Sequence, residues 1–342
     1  MVFLDYASTC PIVKFSSKQY DGFYCNPNAA YAYTERKVLM DCEERIKAAI
    51  GVKSGHVLYF RCATEAIEWL VRDIFGRAHS PYEHDACTLG VEIAPDKVVA
   101  GDFYIHQWVN HITGEIFDLK TIRSQLHKTC KLVVDATAGF GKAKLPSGLD
   151  NIADALFMSG HKIGCPELSF MWLSDTLCEW LGAAKDIRNQ WGLHHGSLSV
   201  ASVLALTDAV EWACENGDRV DGHSVRLYVQ MNGMLDKARI EHHDVIEYVI
   251  ERQAYTASIN AIRLNGINAD ALQQFLASRG IYVGVGGSAC SAAHDYRVLR
   301  AYGLTDDEAS EVIRVSFGEE TTARDIEALV EGIKEYRERF IV

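Results

Sequence analysis

Short apolar runs alternate with stretches of helical periodicity between about residue 40 and residue 210, and this alternation restricts the fold most. Residues 57–60 predict a strand, and apolar residues at helical spacing follow from Ile67 to Phe75. Further strands are predicted at residues 97–101, 131–135, 155–158 and 170–173. Alternating strands and helices form a mostly parallel sheet covered by helices, so the sequence predicts an α/β domain.

A second pattern begins near residue 218. Strands are predicted at residues 261–264, 281–285 and 311–317, with a helix at 270–278. The last helix opens with Thr322 and Asp325 at the spacing of a capping box, and Ile326, Leu329 and Ile333 follow on one face. This order predicts a small α+β domain.

Composition excludes several classes of protein. The 342 residues are 48% apolar and 23% charged, which is typical of a globular chain. The net charge is −12 without a basic patch, so we expect no direct binding to nucleic acid. A run of 18 apolar residues and a basic-then-apolar leader are both missing, so we expect neither membrane insertion nor secretion.

The ten cysteines do not form a metal-binding or disulfide pattern. They are spread over the whole chain, and no two of them form a Cys-x-x-Cys pair. This spacing argues against a zinc site, and a chain of this size needs no disulfides. We therefore expect no bound metal, a cytoplasmic location and, for most of the cysteines, a role as small buried side chains.

Two polar residues stand at the ends of apolar strands. Asp135 closes the run 131–135, and Lys162 follows the run 155–158 within Ser159-Gly160-His161-Lys162. A lysine and an aspartate at neighbouring strand ends are what pyridoxal 5'-phosphate requires, because the lysine forms a Schiff base and the aspartate pairs with the pyridine nitrogen. Taken alone, Lys162 is better explained as a solvated loop lysine, and the cofactor role depends on the residues around it.

Several other side chains fit the same cofactor. Thr64, Glu65 and Ala66 open a helix, whose free N–H groups suit a phosphate, and Ser159 and His161 offer further donors. His84 is a candidate for stacking on the ring. Each has a plainer reading: Thr64 as a simple helix cap, Ser159 as a loop serine, and the two histidines as structural side chains.

Two residues near the carboxyl terminus suggest a reaction. Cys290 lies in the glycine-rich segment 284–291, where an exposed thiol is a plausible nucleophile or a passive side chain. Arg314 interrupts an apolar strand, which suggests either a clamp for a substrate carboxylate or a surface salt bridge. The glycine spacing does not fit a dinucleotide site or a P-loop.

The order of these motifs resembles the cysteine desulfurases of the class V aminotransferase group, which are pyridoxal 5'-phosphate enzymes of fold type I. The glycine-rich loop resembles the subgroup with Ser-Gly-Ser-Ala-Cys. The matching segments, in chain order, are Asp5-Tyr6-Ala7, Asn26-Pro27, Ala63-Thr64-Glu65, Glu83-His84, Asp135-Ala136-Thr137, Ser159-Gly160-His161-Lys162, Gly196-Ser197-Leu198, Gly287-Ser288-Ala289-Cys290 and Ile313-Arg314-Val315.

The resemblance implies a large cofactor-binding domain at residues 12–217 and a small domain made of residues 1–11 and 218–342. It implies that L-cysteine is converted to L-alanine and that Cys290 carries the released sulfur to an acceptor protein. Lys162 and His84 would transfer protons during the reaction, and Arg314 would bind the substrate carboxylate. Ser197 would reach the phosphate of a neighbouring subunit in a homodimer. The acceptor is not specified, since iron–sulfur assembly, tRNA thiolation and DNA phosphorothioation all use such enzymes.

Two departures from the family pattern concern the ring hydroxyl of the cofactor. The usual glutamine is Ala138, and the usual asparagine aligns with His111, which we expect to contact cofactor and substrate instead. The cysteine loop is also about two residues shorter than usual. Two alternatives therefore stay open: another enzyme of the same fold, such as a selenocysteine lyase or an aminotransferase, and a non-catalytic interaction subunit.

Overall fold

A computed structural model of the chain describes residues 1–23, 25–72, 77–88, 90–242, 246–249, 254–286 and 295–340. The chain separates into two compact units. The large unit consists of Ile12–Trp108 and Asp118–Gly217, and the small unit consists of Met1–Pro11, Val109–Phe117 and Asp218–Val342. The sequence pattern does not indicate that Val109–Phe117 groups with the small unit. The domain limits inferred from the sequence stay predictions.

Twelve strands and ten helices are assigned within the described residues. The strands are β1 Val2–Leu4, β2 His56–Phe60, β3 Arg77–His79, β4 Val91–Glu92, β5 Phe103–Gln107, β6 Lys131–Asp135, β7 Ala155–Met158, β8 Ser169–Leu173, β9 Ile246–Tyr248, β10 Ile259–Leu264, β11 Ile281–Val285 and β12 Val312–Ser316. The helices are α1 Tyr33–Ile50, α2 Ala63–Val71, α3 Leu119–Gln125, α4 Asp175–Leu181, α5 Arg188–Trp191, α6 Val200–His242, α7 Ala269–Ser278, α8 Arg297–Ala301, α9 Asp306–Ala309 and α10 Ala323–Phe340. None of these described helices is long and apolar enough to span a bilayer.

The large unit contains a seven-stranded sheet in the order β2-β8-β7-β6-β5-β3-β4. Strand β8 is antiparallel to both of its neighbours, and the other neighbouring pairs are parallel. Every residue of β7 and β8 is buried. Continuous apolar runs of this kind are typical of parallel strands covered on both faces, which explains why the sequence revealed them.

Most of the predicted strands of the large unit are confirmed. Strands β6 and β7 have the predicted limits, and β2 and β8 each begin one residue earlier than predicted. The helix after β2 is confirmed as far as Val71, whereas Ile74 and Phe75 lie outside the described residues.

The strand predicted at residues 97–101 is wrong. Pro95–Lys97 forms a 3-10 turn, Val99 is 68% exposed, and Asp102 donates a backbone hydrogen bond to the Val99 carbonyl oxygen. Gly101 has a φ of 89°, a left-handed conformation that turns the chain before the strand begins. The buried strand is β5, which starts at Phe103 and ends in two polar residues.

The small unit contains a five-stranded sheet in the order β1-β11-β12-β10-β9. Strand β1 is parallel to β11, and the remaining pairs are antiparallel. The predicted strands β10, β11 and β12 and helices α7 and α10 are confirmed, with ends shifted by two residues at most. The predicted cap is also confirmed, since the Thr322 backbone N and Oγ1 donate to Asp325 Oδ2 at 2.7 and 2.8 Å.

A left-handed turn covers one edge of the large sheet. Asn189, Gln190 and Trp191 have φ values of 50°, 52° and 60°, which are rare for residues other than glycine. The turn directs the buried Gln190 amide onto the edge strand β2. There Tyr59 N donates to Gln190 Oε1 at 2.6 Å, and Gln190 Nε2 donates to the Tyr59 carbonyl oxygen at 3.3 Å. Backbone groups that would otherwise stay open to another strand are thereby paired.

The buried His106 predicts an acid-sensitive fold. His106 is 4% exposed, and burial lowers its pKa to about 4, against an ordinary value near 6.5. Above pH 6.5 the ring is neutral in the folded and unfolded states. Between pH 6.5 and 4 only the unfolded chain takes up a proton, so stability falls as the pH falls, by about 3 kcal/mol in total. Urea unfolding of His106→Asn should show a shallower loss over this range. The exposed His127→Asn is the control, and equal slopes for His106→Asn and wild type would contradict the prediction.

Candidate active site

Strands β2, β5, β6 and β7 point in the same direction, so their carboxyl ends lie at one edge of the sheet. Asp135 is the last residue of β6, and Lys162 lies in a 3-10 helix, Gly160–Ile163, that follows β7. Strands β6 and β7 are neighbours. Asp135 and Lys162 therefore follow adjacent strands at the edge where α/β sheets bind their ligands.

The carboxylate of Asp135 is nearly buried, with 7% of the residue exposed. Its Oδ1 accepts a hydrogen bond from Thr137 N at 2.8 Å, and Cys87 Sγ donates to Oδ2 at 3.8 Å. The buried Thr137 Oγ1 has no hydrogen-bond partner among the described residues. A buried hydroxyl in this state is a group that a bound ligand can satisfy.

A second buried carboxylate lies close to Asp135. Glu83 is 0% exposed, and its Oε1 accepts hydrogen bonds from Ser80 Oγ at 2.6 Å and from Gln107 N at 2.7 Å. Ligand atoms of Glu83, Cys87 and Asp135 lie within 4.8 Å of one another. Two neighbouring carboxylates favour a positively charged group beside them. Sequence reasoning missed Cys87 and this burial of Glu83, and the spacing carries no signal for either.

His84 begins the short 3-10 helix Asp85–Cys87, in which Cys87 contacts Asp135. The His84 ring is half-buried, and its Nδ1 accepts a hydrogen bond from Ala86 N at 3.2 Å. In the neutral ring this bond leaves the proton on Nε2. The turn therefore connects His84 to the Asp135 side of the sheet edge.

The segment from Ser159 to Lys162 turns sharply after β7. Ser159 is 3% exposed, with its Oγ 3.5 Å from Ser169 Oγ, and Lys162 N donates to the Ser159 carbonyl oxygen at 3.2 Å. A Cβ at Gly160 would lie 2.5 Å from the Cys165 carbonyl oxygen, and closer still to that of Leu168. Only glycine fits this position, so the turn that carries Lys162 depends on it.

Positive charge is concentrated around His161. Burial, followed by the nearby Lys162 and Lys142, lowers the pKa of His161 to about 4, so the ring is neutral at pH 7. Lys142 is itself buried, with 4% exposed. Two lysines and a neutral imidazole that donates an N–H form a set suited to an anion such as a phosphate. Sequence reasoning did not single out Lys142.

The start of α2 contradicts the simpler interpretation of Thr64, in which its side chain caps the helix. Cys62, and not Thr64, is the N-cap residue, and Cys62 Sγ accepts from Glu65 N at 3.5 Å. Ala63 is half-buried and Thr64 is exposed, within the first turn of the helix that follows β2. The Thr64 hydroxyl is thus not used as a cap. Cys62 and Cys25 are exposed, whereas five of the nine described cysteines are buried, as expected for most of them.

Ser197 is exposed and follows Gly196, which has a φ of 145°. Asn28 Nδ2 donates to the Gly196 carbonyl oxygen at 3.2 Å and so anchors this loop. Two residues before Gly196, His194 contacts the Gln190 amide at 2.8 Å, and burial lowers its pKa. The loop therefore presents the Ser197 hydroxyl to solvent.

The small unit holds Arg314 and His111. The Arg314 side chain is fully buried in β12, and it pairs with Asp5 and donates Nη1 to the His111 carbonyl oxygen at 3.0 Å. The surface salt bridge considered from sequence is therefore wrong, since this ion pair lies inside the unit. His111 is 4% exposed, and the Asn110 amide oxygen accepts from Ile112 N and Thr113 N at 2.9 Å each.

Two further residues of the sequence prediction remain. Ala138 is buried in the large unit, three residues after Asp135. Cys290 lies outside the described residues, as do its neighbours from 287 to 294. The proposed catalytic, cofactor-binding and substrate-binding roles all stay predictions.

The carboxyl edge of the large sheet offers two kinds of environment. Glu83 and Asp135 provide negative charge, whereas Lys142, Lys162 and the neutral His161 provide cations and donors. Pyridoxal 5'-phosphate has a basic ring nitrogen at one side, and a phosphate and an aldehyde at the others. The residues present fit this group by the chemistry of their donors and acceptors.

Comparison with known proteins agrees with this reading. Residues 102–329 match the family described as aminotransferase class-V. The cysteine desulfurase IscS of Mannheimia succiniciproducens is 25% identical, over 97% of this chain and 92% of that protein.

Solved structures show the same fold. A NifS-like protein has a TM-score of 0.82 and 19% identity, over 99% of this chain and 100% of its own. A NifS-like protein from Rickettsia africae has a TM-score of 0.80 and 18% identity, over 99% of both chains. These structures confirm the predicted fold class, an α/β large part and a small α+β part.

The fit of Gly160 against two carbonyl oxygens predicts a large effect of adding one methyl group. Gly160→Ala should lower the free energy of unfolding by about 2 kcal/mol or more, because backbone atoms must move to admit the Cβ. Gly233→Ala is the matched control, since Gly233 lies in α6 with nothing within 4 Å of its missing Cβ. That variant should gain about 0.5–1 kcal/mol. Urea unfolding of both variants measures this, and equal stabilities would contradict the prediction.

Proposed function

The chain belongs to the aminotransferase class-V family, and from this premise we propose that it is a pyridoxal 5'-phosphate-dependent cysteine desulfurase. Pyridoxal 5'-phosphate is the cofactor of that family. The observation on which the proposal depends is the pairing of β6 with β7. Asp135 is the last residue of β6, and Lys162 lies just beyond the end of β7. The relatives named cysteine desulfurase support the choice of reaction.

Apart from His111, the residues that would hold the cofactor belong to the large unit. Asp135 would stabilise the protonated ring nitrogen, and the neighbouring Glu83 adds negative charge in support. His84 would stack on the ring. The residues that would bind the phosphate share an N–H or hydroxyl donor at the carboxyl edge, and they are Ala63, Thr64, Ser159 and His161. His111 would replace one of the usual partners of the ring hydroxyl.

When bound, the cofactor supplies an aldehyde that takes up an amine and a ring that accepts electrons. Lys162 would hold the cofactor through its Nζ, and the same amine would move the Cα proton of the substrate. Arg314 binds the substrate carboxylate, and His84 assists proton transfer. These roles need the Lys162 Nζ to be unprotonated for part of the cycle.

The sulfur transfer balances between substrate and Cys290. The Cys290 thiolate attacks the sulfur of L-cysteine, the carbon–sulfur bond breaks, and a sulfur–sulfur bond forms. The electron pair of the broken bond stays with the carbon skeleton, which takes up a proton and leaves as L-alanine. Cys290 keeps a persulfide for a sulfur-acceptor protein, and no external oxidant or reductant is needed.

We also propose a cytoplasmic homodimer. The nine cysteines in the described part of the chain form no disulfide with one another, which supports a reducing environment. The exposed Ser197 supports a contribution to a neighbouring subunit's phosphate site. Neither direct nucleic-acid binding nor membrane attachment is part of the proposal.

Two variants separate cofactor binding from sulfur transfer. Cys290→Ala should keep the yellow colour of the bound cofactor and lose at least about 100-fold in sulfide release, because the attacking nucleophile is gone. Lys162→Ala should lose both the visible absorption band and turnover. Sulfide and alanine are assayed together from L-cysteine in the presence of an added dithiol, which reduces the Cys290 persulfide and releases its outer sulfur as sulfide, with the exposed Cys25→Ala as control. A colourless wild type, or products other than equal amounts of alanine and sulfide, would reject the proposed function.

The proposed dimer makes Ser197 act across subunits. Ser197→Ala should weaken cofactor binding by about 10-fold, the effect expected from losing one hydrogen bond to a charged phosphate. The dissociation constant is measured by fluorescence titration of the cofactor-free protein, and light scattering gives the molecular mass. The exposed Ser124→Ala in α3 is the control. A monomer, or unchanged binding in Ser197→Ala, would reject this part of the proposal.

A further inference from the structure

Arg314 carries an internal carboxylate partner inside the small unit. Its Nη2 donates to Asp5 Oδ1 at 2.6 Å. The Arg314 side chain is 0% exposed, whereas the Asp5 side chain is 19% exposed. A carboxylate arriving from solvent therefore meets Asp5 before it meets Arg314. The guanidinium is already compensated by a negative charge in the absence of any ligand.

The ion pair leaves one strong donor of Arg314 unused. Arg314 Nε is buried and has no hydrogen-bond partner among the described residues. Nε and Nη2 form one edge of the guanidinium, and this edge can bind both oxygens of a carboxylate at once. Asp5 contacts that edge through Nη2 alone. A substrate carboxylate that engages both atoms would gain a hydrogen bond that Asp5 does not make.

The chain is built to hold Asp5 in this position. Asp5 forms a bridge with Ser316 on β12, and Ala7 N donates to Ser316 Oγ at 2.8 Å. Ser8 Oγ donates to Asp5 Oδ2 at 2.7 Å, which occupies the second carboxylate oxygen. These contacts keep the Asp5 carboxylate at Arg314 with little freedom to reach both donors.

Gly284 provides the room for the pair. Gly284 lies opposite Arg314 in the β11–β12 register. A Cβ on Gly284 would lie 2.9 Å from both Arg314 Nε and Asp5 Oδ1. The ion pair therefore fills the volume that a side chain would take, at the point where Nε remains unsatisfied. The ion pair is therefore packed between the strands and is not a contact at the protein surface.

We propose that Asp5 is a built-in competitor that the carboxylate of the amino-acid substrate displaces from Arg314. The inference rests on the proposed role of Arg314 in binding that carboxylate. A site closed by an internal group binds its ligand with an apparent dissociation constant raised by the inverse of the open fraction. If nine molecules in ten are closed, affinity falls about 10-fold. Asp5 thus sets the substrate concentration at which the enzyme responds.

The test removes the negative charge of Asp5 and keeps the shape of the side chain. Asp5→Asn retains an oxygen that accepts from Nη2 but removes the negative charge that competes with the ligand. The probe is 3-mercaptopropionate, which has the carboxylate and thiol of cysteine and no amine to react with the cofactor. Its dissociation constant is measured by calorimetry on the cofactor-loaded protein. KM and kcat for L-cysteine are measured in parallel.

The competitor role predicts that Asp5→Asn binds 3-mercaptopropionate about 10-fold more tightly and lowers KM by a similar factor, with kcat changed less than about twofold. Glu335→Gln is the control, since it removes one negative charge from a solvent-exposed pair with Arg279. Glu335→Gln should bind the probe as the wild type does. Asp5→Ser serves as a second uncharged variant if Asp5→Asn fails to fold.

Weaker or unchanged probe binding in the uncharged variants overturns the proposal. Weaker binding would make Asp5 a positioning residue that supports Arg314, and unchanged binding would remove any role in carboxylate recognition. The probe measurement does not require desulfurase activity. Suppose that the wild type releases no sulfide while the uncharged Asp5 variants bind the probe more tightly than the wild type does. That result would reject the proposed function alone.

Discussion

The parallel pairing of β6 with β7 is the constraint on which the candidate site depends. It sets Asp135 opposite Phe157 in the ladder, so Ser159 and the turn that carries Lys162 follow two residues later at the same edge. Asp135 and Lys162, which are 27 positions apart in the chain, are thereby placed at the ends of adjacent strands. At this edge Asp135 also contacts Thr137 N and Cys87 Sγ.

Charge is sorted along this edge by strand. The carboxylates of Glu83 and Asp135 belong to the side of β3 and β6, whereas His161 and Lys162 belong to the turn after β7. A ligand that is cationic at one end and anionic at the other is oriented by such a gradient before any specific contact forms. The buried Lys142 extends the positive side without being exposed. The orientation of the proposed cofactor is thus a property of the sheet as well as of single residues.

The sequence was sufficient for the features that are local or periodic. Buried strands such as β6 and β7 are continuous apolar runs, and Asp135 and Lys162 are conspicuous at their ends. Long-range partners cannot be predicted from the sequence pattern. Nothing near Arg314 in the chain indicates Asp5, and nothing near β2 indicates the Gln190 amide. The sequence predicts a strand at residues 97–101 instead of β5. Strand β5 ends in polar residues that are buried all the same, and the turn before it has a more apolar sequence.

The pairing of Asp5 and β1 with the last strands has a consequence for the order in which the protein forms. Strand β1 needs β11, and Asp5 needs Ser316 and Arg314, so this part of the small unit has to wait until synthesis has passed residue 316. The sheet of the large unit uses strands from His56 to Leu173 and is complete in sequence much earlier. During translation on the ribosome, the residues that hold the arginine are thus among the first to emerge and the last to find their partners.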